Sequence, residues 1–350
     1  MRKVSIMLLI ILCIVNVGCF NNQESSVTKQ VTSTVTDSIG RKIQISKPLT
    51  RVVVSNGYNL ELINAIGALD TVIVVDNIIF KNQDGYHNKF DLSQVIGQNT
   101  NELNYEKIIE LNPEALIITG NGSWETAEKK LAPFGIQVVV LDAYYTGDFK
   151  KNWRIIGELF GKEKEAQNLV DFFEEKLSYI EKSLAGVPKK TLYYEYKRVG
   201  NTTAPGDYFY KMVILAGAEN IFDDAKNVEI NPELVILRNP EYIVRVGIPN
   251  ESSNYIPPCQ EDFRQRKNSI MERPGWDEID GVKKDKILIL SHYAQGSASK
   301  LIGTMYIAKF LYPEHLPDLQ PEEIFKEYLE KYQKLPYQKG HTYPEFKLKN

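Results

Sequence analysis

Short apolar runs recur along the chain without the polar alternation of a half-exposed strand: RVVVS (51–55), TVIVV (71–75), ALIIT (115–119), QVVVL (137–141), TLYYEY (191–196), EYIVRV (241–246) and KILILS (286–291). Strands buried on both faces read this way, as in parallel sheets covered by helices. Helical stretches fall between them, at Tyr58–Gly67, about 105–111, 124–134, 207–216, 232–238 and 298–311. VTDSIGRKIQI predicts a small hairpin that turns at Ser38–Gly40. Strand and helix thus alternate twice, which predicts two α/β, Rossmann-like lobes with parallel sheets.

Residues 162–186 stand apart. Ala166, Val170, Phe173, Leu177, Ile180 and Leu184 recur at steps of four and three, widened by Leu169 and Phe172, so one face of a single helix over about 163–185 is apolar. Gly161 precedes it, and Gly186 with Pro188 ends it. A helix of about 22 residues spans roughly 33 Å, enough to run from one lobe to the other. The same spacing fits a coiled coil, but the stretch is too short for the sustained heptads that need.

The expected organisation is therefore a signal (1–18), a polar tether (19–34), an N-terminal lobe (35–147), a connecting helical segment (148–187), a C-terminal lobe (188–318), and a terminal helix (about 321–334) with a tail (319–350 together). That helix and the tail, PYQKGHTYPEFKLKN, are expected to be surface material. With 43% hydrophobic residues in 350, the chain can fill two ordinary cores.

At the start, Arg2 and Lys3 precede the apolar SIMLLIILCIV and then Asn-Val-Gly-Cys19, which reads as an export signal too short to span a membrane. Gly18-Cys19 resembles a lipobox, in which cleavage before the cysteine frees its sulfur for lipidation. An ordinary cleavage nearby would leave Cys19 incidental. Loss of Arg2 and Lys3 moves the net charge from −3 to −5, so nucleic acid is not an expected partner. Of the cysteines only Cys19 and Cys259 would then remain, and an acylated Cys19 leaves no disulfide within the chain.

The most specific signal is an internal repeat. NYEKIIELNPEALII from Asn104 is matched without a gap by NPELVILRNPEYIV from Asn231. In each copy an asparagine caps a short helix, an acid (Glu106, Glu233) sits in its first turn, and Asn-Pro ends it before a strand. Those acids could serve only the helix N-termini.

At this point the chain resembles a family. TDSIGRKIQI, RVVVSNGYNLELINAIGALDTVIVV, IGQNTNELNYEKIIELNPEALIITG, AGAENIF and RPGWDEIDGVKKDKILIL are similar to the cobalamin and iron-siderophore substrate-binding proteins of ABC importers, over roughly residues 35–315. The resemblance implies two lobes joined by one rigid long helix, a ligand cleft between them, and one exposed glutamate per lobe that grips arginines of the permease. By motif these are Glu106 and Glu233. Together with the lipobox-like Gly18-Cys19, it implies a lipoprotein on the outer face of the cell membrane, or on the periplasmic side where an outer membrane is present, held there by the lipid anchor alone. Its partners would be an ABC permease with its ATPase and a small metal chelate, namely a ferric siderophore, haem or a corrinoid. The chain is expected to be a monomer with no cofactor apart from that ligand. Segment 249–282, with Cys259, is longer than the family leads one to expect.

Catalysis is not indicated. His87, His292, His315 and His341 are scattered, there is no GxSxG, and GNGSW has its glycines at the wrong spacing for a phosphate loop. A sensor or surface lipoprotein without a transport role, or a protein for a free metal ion, would use the same features.

Open α/β sheets bind ligands beyond the carboxyl ends of their strands. That rule nominates Tyr58, Tyr86, Trp124 and Tyr145 in the first lobe, and Arg198, Tyr208, His292 and Tyr293 in the second, with Tyr144, His87 and Lys197 beside them. The set is rich in rings and carries a few cations, which suits a large planar or aryl-bearing ligand, including an anionic one. With 20 tyrosines in the chain, some fall in loops by chance.

Overall fold

The computed structural model describes residues 31–196, 198–248, 255–295 and 299–348. Cys19, the signal, residues 19–30 of the tether and Lys197 lie outside them, whereas residues 31–34 of the expected tether belong to the first strand.

The N-terminal lobe opens with an antiparallel hairpin, β1 (Val31–Thr36) and β2 (Lys42–Lys47), paired from Val31↔Lys47 to Thr36↔Lys42. Next come β3 (Val52–Val54), α1 (Gly57–Ala65), β4 (Val72–Val75), α2 (Asn77–Lys81), α3 (Tyr105–Leu111), β5 (Ala115–Ile118), α4 (Trp124–Leu131) and β6 (Gln137–Val140). The strands form a parallel sheet in the order β4-β3-β5-β6. Successive side chains leave a strand on opposite faces. Val52 and Val54 accordingly enter a central core, while Val53 joins an outer one with Leu116, Ala127 and Val138.

Two helices connect the lobes. The first, α5 (Phe149–Phe160), ends at Gly161 in the left-handed conformation, φ 61°, and the second, α6 (Glu163–Ser183), is the expected long helix. They cross closely because Gly157 has no side chain; a Cβ there would lie 2.6 Å from Ala166 Cβ. Ala166, Leu169, Val170, Phe172, Phe173 and Ile180 are buried. Phe173 meets Trp153 of α5 and Tyr328 near the C-terminus, with ring centroids 5.5 and 5.7 Å apart. The central core therefore runs without a break from one lobe through α5 and α6 into the other.

The C-terminal lobe contains β7 (Thr191–Tyr196), α7 (Tyr210–Leu215), β8 (Glu219–Asn220), α8 (Glu233–Arg238), β9 (Tyr242–Val246), α9 (Gln260–Met271), α10 (Asp280–Lys283), β10 (Ile287–Leu290), α11 (Ser299–Leu311), α12 (Pro321–Glu327) and β11 (Thr342–Tyr343). The sheet order is β11-β10-β9-β7-β8. Here the structure departs from an all-parallel sheet, because β11 pairs antiparallel with β10. Accordingly, neither the terminal helix nor the tail is surface material: Ile324, Phe325, Tyr328 and Leu329 enter the central core, His341 and Thr342 are buried, and Ser291 N–H donates to His341 O at 2.9 Å. The long segment before residue 282 supplies α9, which covers the outer face of this sheet with Phe263 and Ile270.

Candidate functional site between the lobes

Tyr58 is set by the turn that follows β3. Asp76, at the end of β4, accepts from Ser55 Oγ (2.9 Å), Asn56 N–H (3.0 Å) and Ile79 N–H (2.9 Å). Asn56 takes a positive φ of 103° and its side chain accepts from Tyr58 N–H. Three donors hold the Asp76 carboxylate, yet burial still raises its pKa. Tyr86 closes the turn by donating its hydroxyl to Gly57 O at 2.8 Å. On the other side, β10 delivers His292 and Tyr293. Gly247, at the end of β9 with φ 84°, leaves room for the imidazole, since a Cβ there would stand 2.8 Å from His292 Nε2.

These groups face one another across a cavity of about 140 Å³, walled by Tyr58, Glu61 and Tyr86 from the first lobe and Tyr255, His292 and Tyr293 from the second. A second cavity, of about 330 Å³, is lined by Tyr196, Arg198, Asp207, Tyr208, Phe209 and Glu229. Rings stand between the two. Tyr144 lies 5.6 Å from Tyr58 and 4.8 Å, edge-on, from Tyr208; Tyr196 lies 5.5 Å from His292. Lys300, from the first turn of α11, ends among Tyr58, Tyr144, Tyr208 and Phe209, with its ammonium 4.7–5.8 Å from the ring centres. Burial raises the hydroxyl pKa of Tyr58, Tyr86, Tyr144 and Tyr293, so these phenols are neutral. Burial also pushes the Lys300 amine down to about 7.

Of the nominated residues, Tyr58, Tyr86, His292 and Tyr293 come together in the smaller cavity, and Tyr208 joins the ring ridge beside it. Arg198 lines the larger cavity, is 72% exposed, and is paired with Glu229 at 2.8 Å. Two nominated residues lie elsewhere: Trp124 and Tyr145 line neither cavity. Trp124 packs on the outer core of its lobe beneath Arg41, 4.4 Å away, and the ring of Tyr145 lies over Gly147. The exposed His87 contacts Gln333 O at 3.1 Å.

Glu61, Tyr255 and Lys300 were not nominated. Glu61 is three residues beyond Tyr58 on α1, hence on the same face, and its carboxylate accepts from Tyr328 OH. Tyr255 belongs to the long segment whose role the sequence left open. Lys300 is followed by the apolar LIGTMYIA, which marks a lysine on a buried helix. Among the described residues no three His, Cys, Asp or Glu side chains gather into a metal-binding group.

On the outer surface, Glu106 and Glu233 are both exposed in the first turns of α3 and α8. Asn104 caps α3 by accepting from Lys107 N–H (3.0 Å), and Asn231 accepts from Glu233 N–H (3.1 Å).

Two lobes, a connecting helix and an inter-lobe cleft lined from both sides describe a solute-binding protein. The chain belongs to the periplasmic binding protein family, whose model matches residues 52–294. It is 25% identical over 324 residues to an uncharacterized ABC transporter substrate-binding lipoprotein, YvrC, of Bacillus subtilis, covering 87% of this chain and 96% of that one. It is 22% identical to the molybdate-binding protein MolA of Haemophilus influenzae, covering 87% and 91%. The solved structure of MolA bound to molybdate superposes with a TM-score of 0.70 at 20% identity, over 87% of this chain and 99% of that one. That of FepB from Veillonella parvula, a TroA-like periplasmic binding protein, gives 0.71 at 22% identity, over 88% and 97%. Among the described residues no helix is long and apolar enough to cross a membrane.

Proposed function

We propose that this protein is exported and lipid-anchored through Cys19, captures a metal chelate between its lobes, and hands it to an ABC permease. The observation that carries the reading is the pocket built by Tyr58 and Tyr86 from one lobe and Tyr255, His292 and Tyr293 from the other. Rings bury large area at low entropic cost and leave hydroxyls to direct a ligand's polar edge. A metal that arrives in a chelate brings most of its ligands with it, so Glu61, His292 and the phenols need only fix its orientation. A siderophore, haem or corrinoid exceeds about 140 Å³, so its binding requires the Tyr58–Tyr144–Tyr208 ridge to part and join the two cavities.

That small volume also favours a second reading, a compact metal oxyanion such as the molybdate named for MolA. Native mass and absorbance spectra of protein from its own host, followed by calorimetry with siderophore, haem, corrinoid and molybdate panels, separate the two. A coloured cargo and chelate binding support the first; binding of molybdate alone supports the second. The anchor is tested by Cys19→Ser, which should release the protein from membranes. Retention of that variant, with no labelled fatty acid in the wild type, would contradict it.

A further inference from the structure

Lys300 is 1% exposed, and it has no salt bridge among the described residues. Its one described acceptor is Tyr144 O, at 3.1 Å across the lobe contact, which leaves two of the three ammonium donors unmatched among those residues. Lys300 belongs to the first turn of α11, the end of a helix at which the dipole disfavours a positive charge. Four rings compensate in part through their negative faces. The acids and phenols that bear on it are Glu61 and Tyr58 on α1, Tyr144 after β6, and Asp207 and Tyr208 before α7. A buried cation without an ion pair lowers stability and persists where it serves a ligand. Its place is the ridge between the two cavities. Arg198, the cation nominated from the sequence, is exposed and already paired.

Resting on the cleft reading above, we propose that Lys300 is the charge by which the cleft selects its ligand: an anionic ligand that parts the ring ridge takes the unmatched ammonium donors, whereas neutral ligands gain nothing from them. The amine then needs a proton wherever it was neutral before binding. Proton uptake should therefore accompany anion binding at pH 8 and be absent at pH 6, since the free amine titrates near 7.

The test is calorimetry on the full exported chain with three probes: an anionic ferric tricatecholate, molybdate, and a neutral ferric hydroxamate. Each is run in two buffers of different ionisation heat. Lys300→Met and Lys300→Gln should weaken the bound anion by roughly ten- to hundredfold and leave the hydroxamate unchanged. Both variants should lose the proton uptake. Without any probe, Lys300→Met should melt at a higher temperature than the wild type, because an uncompensated buried charge has been removed. Equal anion affinity in wild type and variants, equal weakening of anionic and neutral probes, or a lower melting temperature for Lys300→Met would each overturn the proposal. So would a wild type that binds only the neutral chelate, with the cleft reading intact. A wild type that binds none of the three would overturn the proposal, and if haem and corrinoids fail to bind as well, the cleft reading falls with it.

Discussion

The two lobes share a frame and differ in what they bury. The order β4-β3-β5-β6 in the first is repeated as β8-β7-β9-β10 in the second. The repeated segment does the same work in each. Asn112 and Asn239 end their helices in the left-handed conformation, φ 46° and 42°. Two residues on, Glu114 accepts from Thr50 N–H (2.7 Å) and Glu241 from Thr191 N–H (2.9 Å), tying each helix exit to the start of a neighbouring strand. The outer edge of the last parallel strand is also covered in both, by the Asp37–Ser38 turn against Val140 in one and by β11 in the other. The outer face of the first sheet is apolar. The second holds Glu195 between Arg245 and Arg273, with Tyr193 OH donating to it at 2.9 Å. Backbone constraints therefore recur in both lobes while the side chains above them differ, and the buried carboxylate held between two guanidinium groups on an outer sheet face belongs to the second lobe.

The sharpest way to break this contrast is Glu195→Gln. It leaves two guanidinium groups in a buried site without their carboxylate and should cost about 3–5 kcal/mol in a denaturant titration. Ile118→Val in the first lobe's outer core should cost only about 1 kcal/mol. Equal losses would deny the asymmetry.

Next in size is the response to acid. Burial pushes His341 down to about 3 from its ordinary 6.5. Between those values the unfolded chain binds a proton that the folded one refuses, so stability rises with pH through this window and is lost as pH falls. The loss is on the order of a few kcal/mol. Replacing His341 with Gln should flatten that slope in melts between pH 4 and 7, and an unchanged slope would place the acid sensitivity elsewhere.

Smaller effects test what is shared. Asn104→Ala and Asn231→Ala should each cost about 1 kcal/mol, because each removes a capping acceptor from an equivalent helix. A large difference between them would deny the equivalence of the repeats. Glu106→Ala with Glu233→Ala should leave melting temperature and ligand affinity nearly unchanged, as exposed acids contribute little, and abolish uptake in cells. Normal uptake would return both acids to a purely local role at their helix ends.

How much of this was legible follows from the strength of each signal. The strands and α6 announce themselves through apolar runs and a four-three stripe. The hairpin and the capped repeat do so through turn and cap residues. In contrast, β11 pairs only Thr342 and Tyr343 with its neighbour, and so short a pairing leaves no periodicity to read. The strand-end rule nominated Tyr58, Tyr86, His292 and Tyr293, which line one cavity between the lobes. The same rule says where a loop begins and not which way its side chains turn, so Trp124 and Tyr145 fall outside both cavities. Lys300 escaped because lysine is ordinarily a surface residue, and only the apolar helix behind it betrays burial.

The claim that rings from both lobes grip one organic chelate is tested most directly by calorimetry on Tyr58→Ala and Tyr293→Ala, one ring from each side of the cleft. The titrants are free ferric iron, free cobalt, siderophores, haem and corrinoids. The account predicts that one class of chelate binds the wild type, that free ions do not, and that each substitution weakens that chelate by roughly 1–3 kcal/mol. Tight binding of a free ion with no chelate bound, or a chelate affinity indifferent to the loss of either ring, would contradict it.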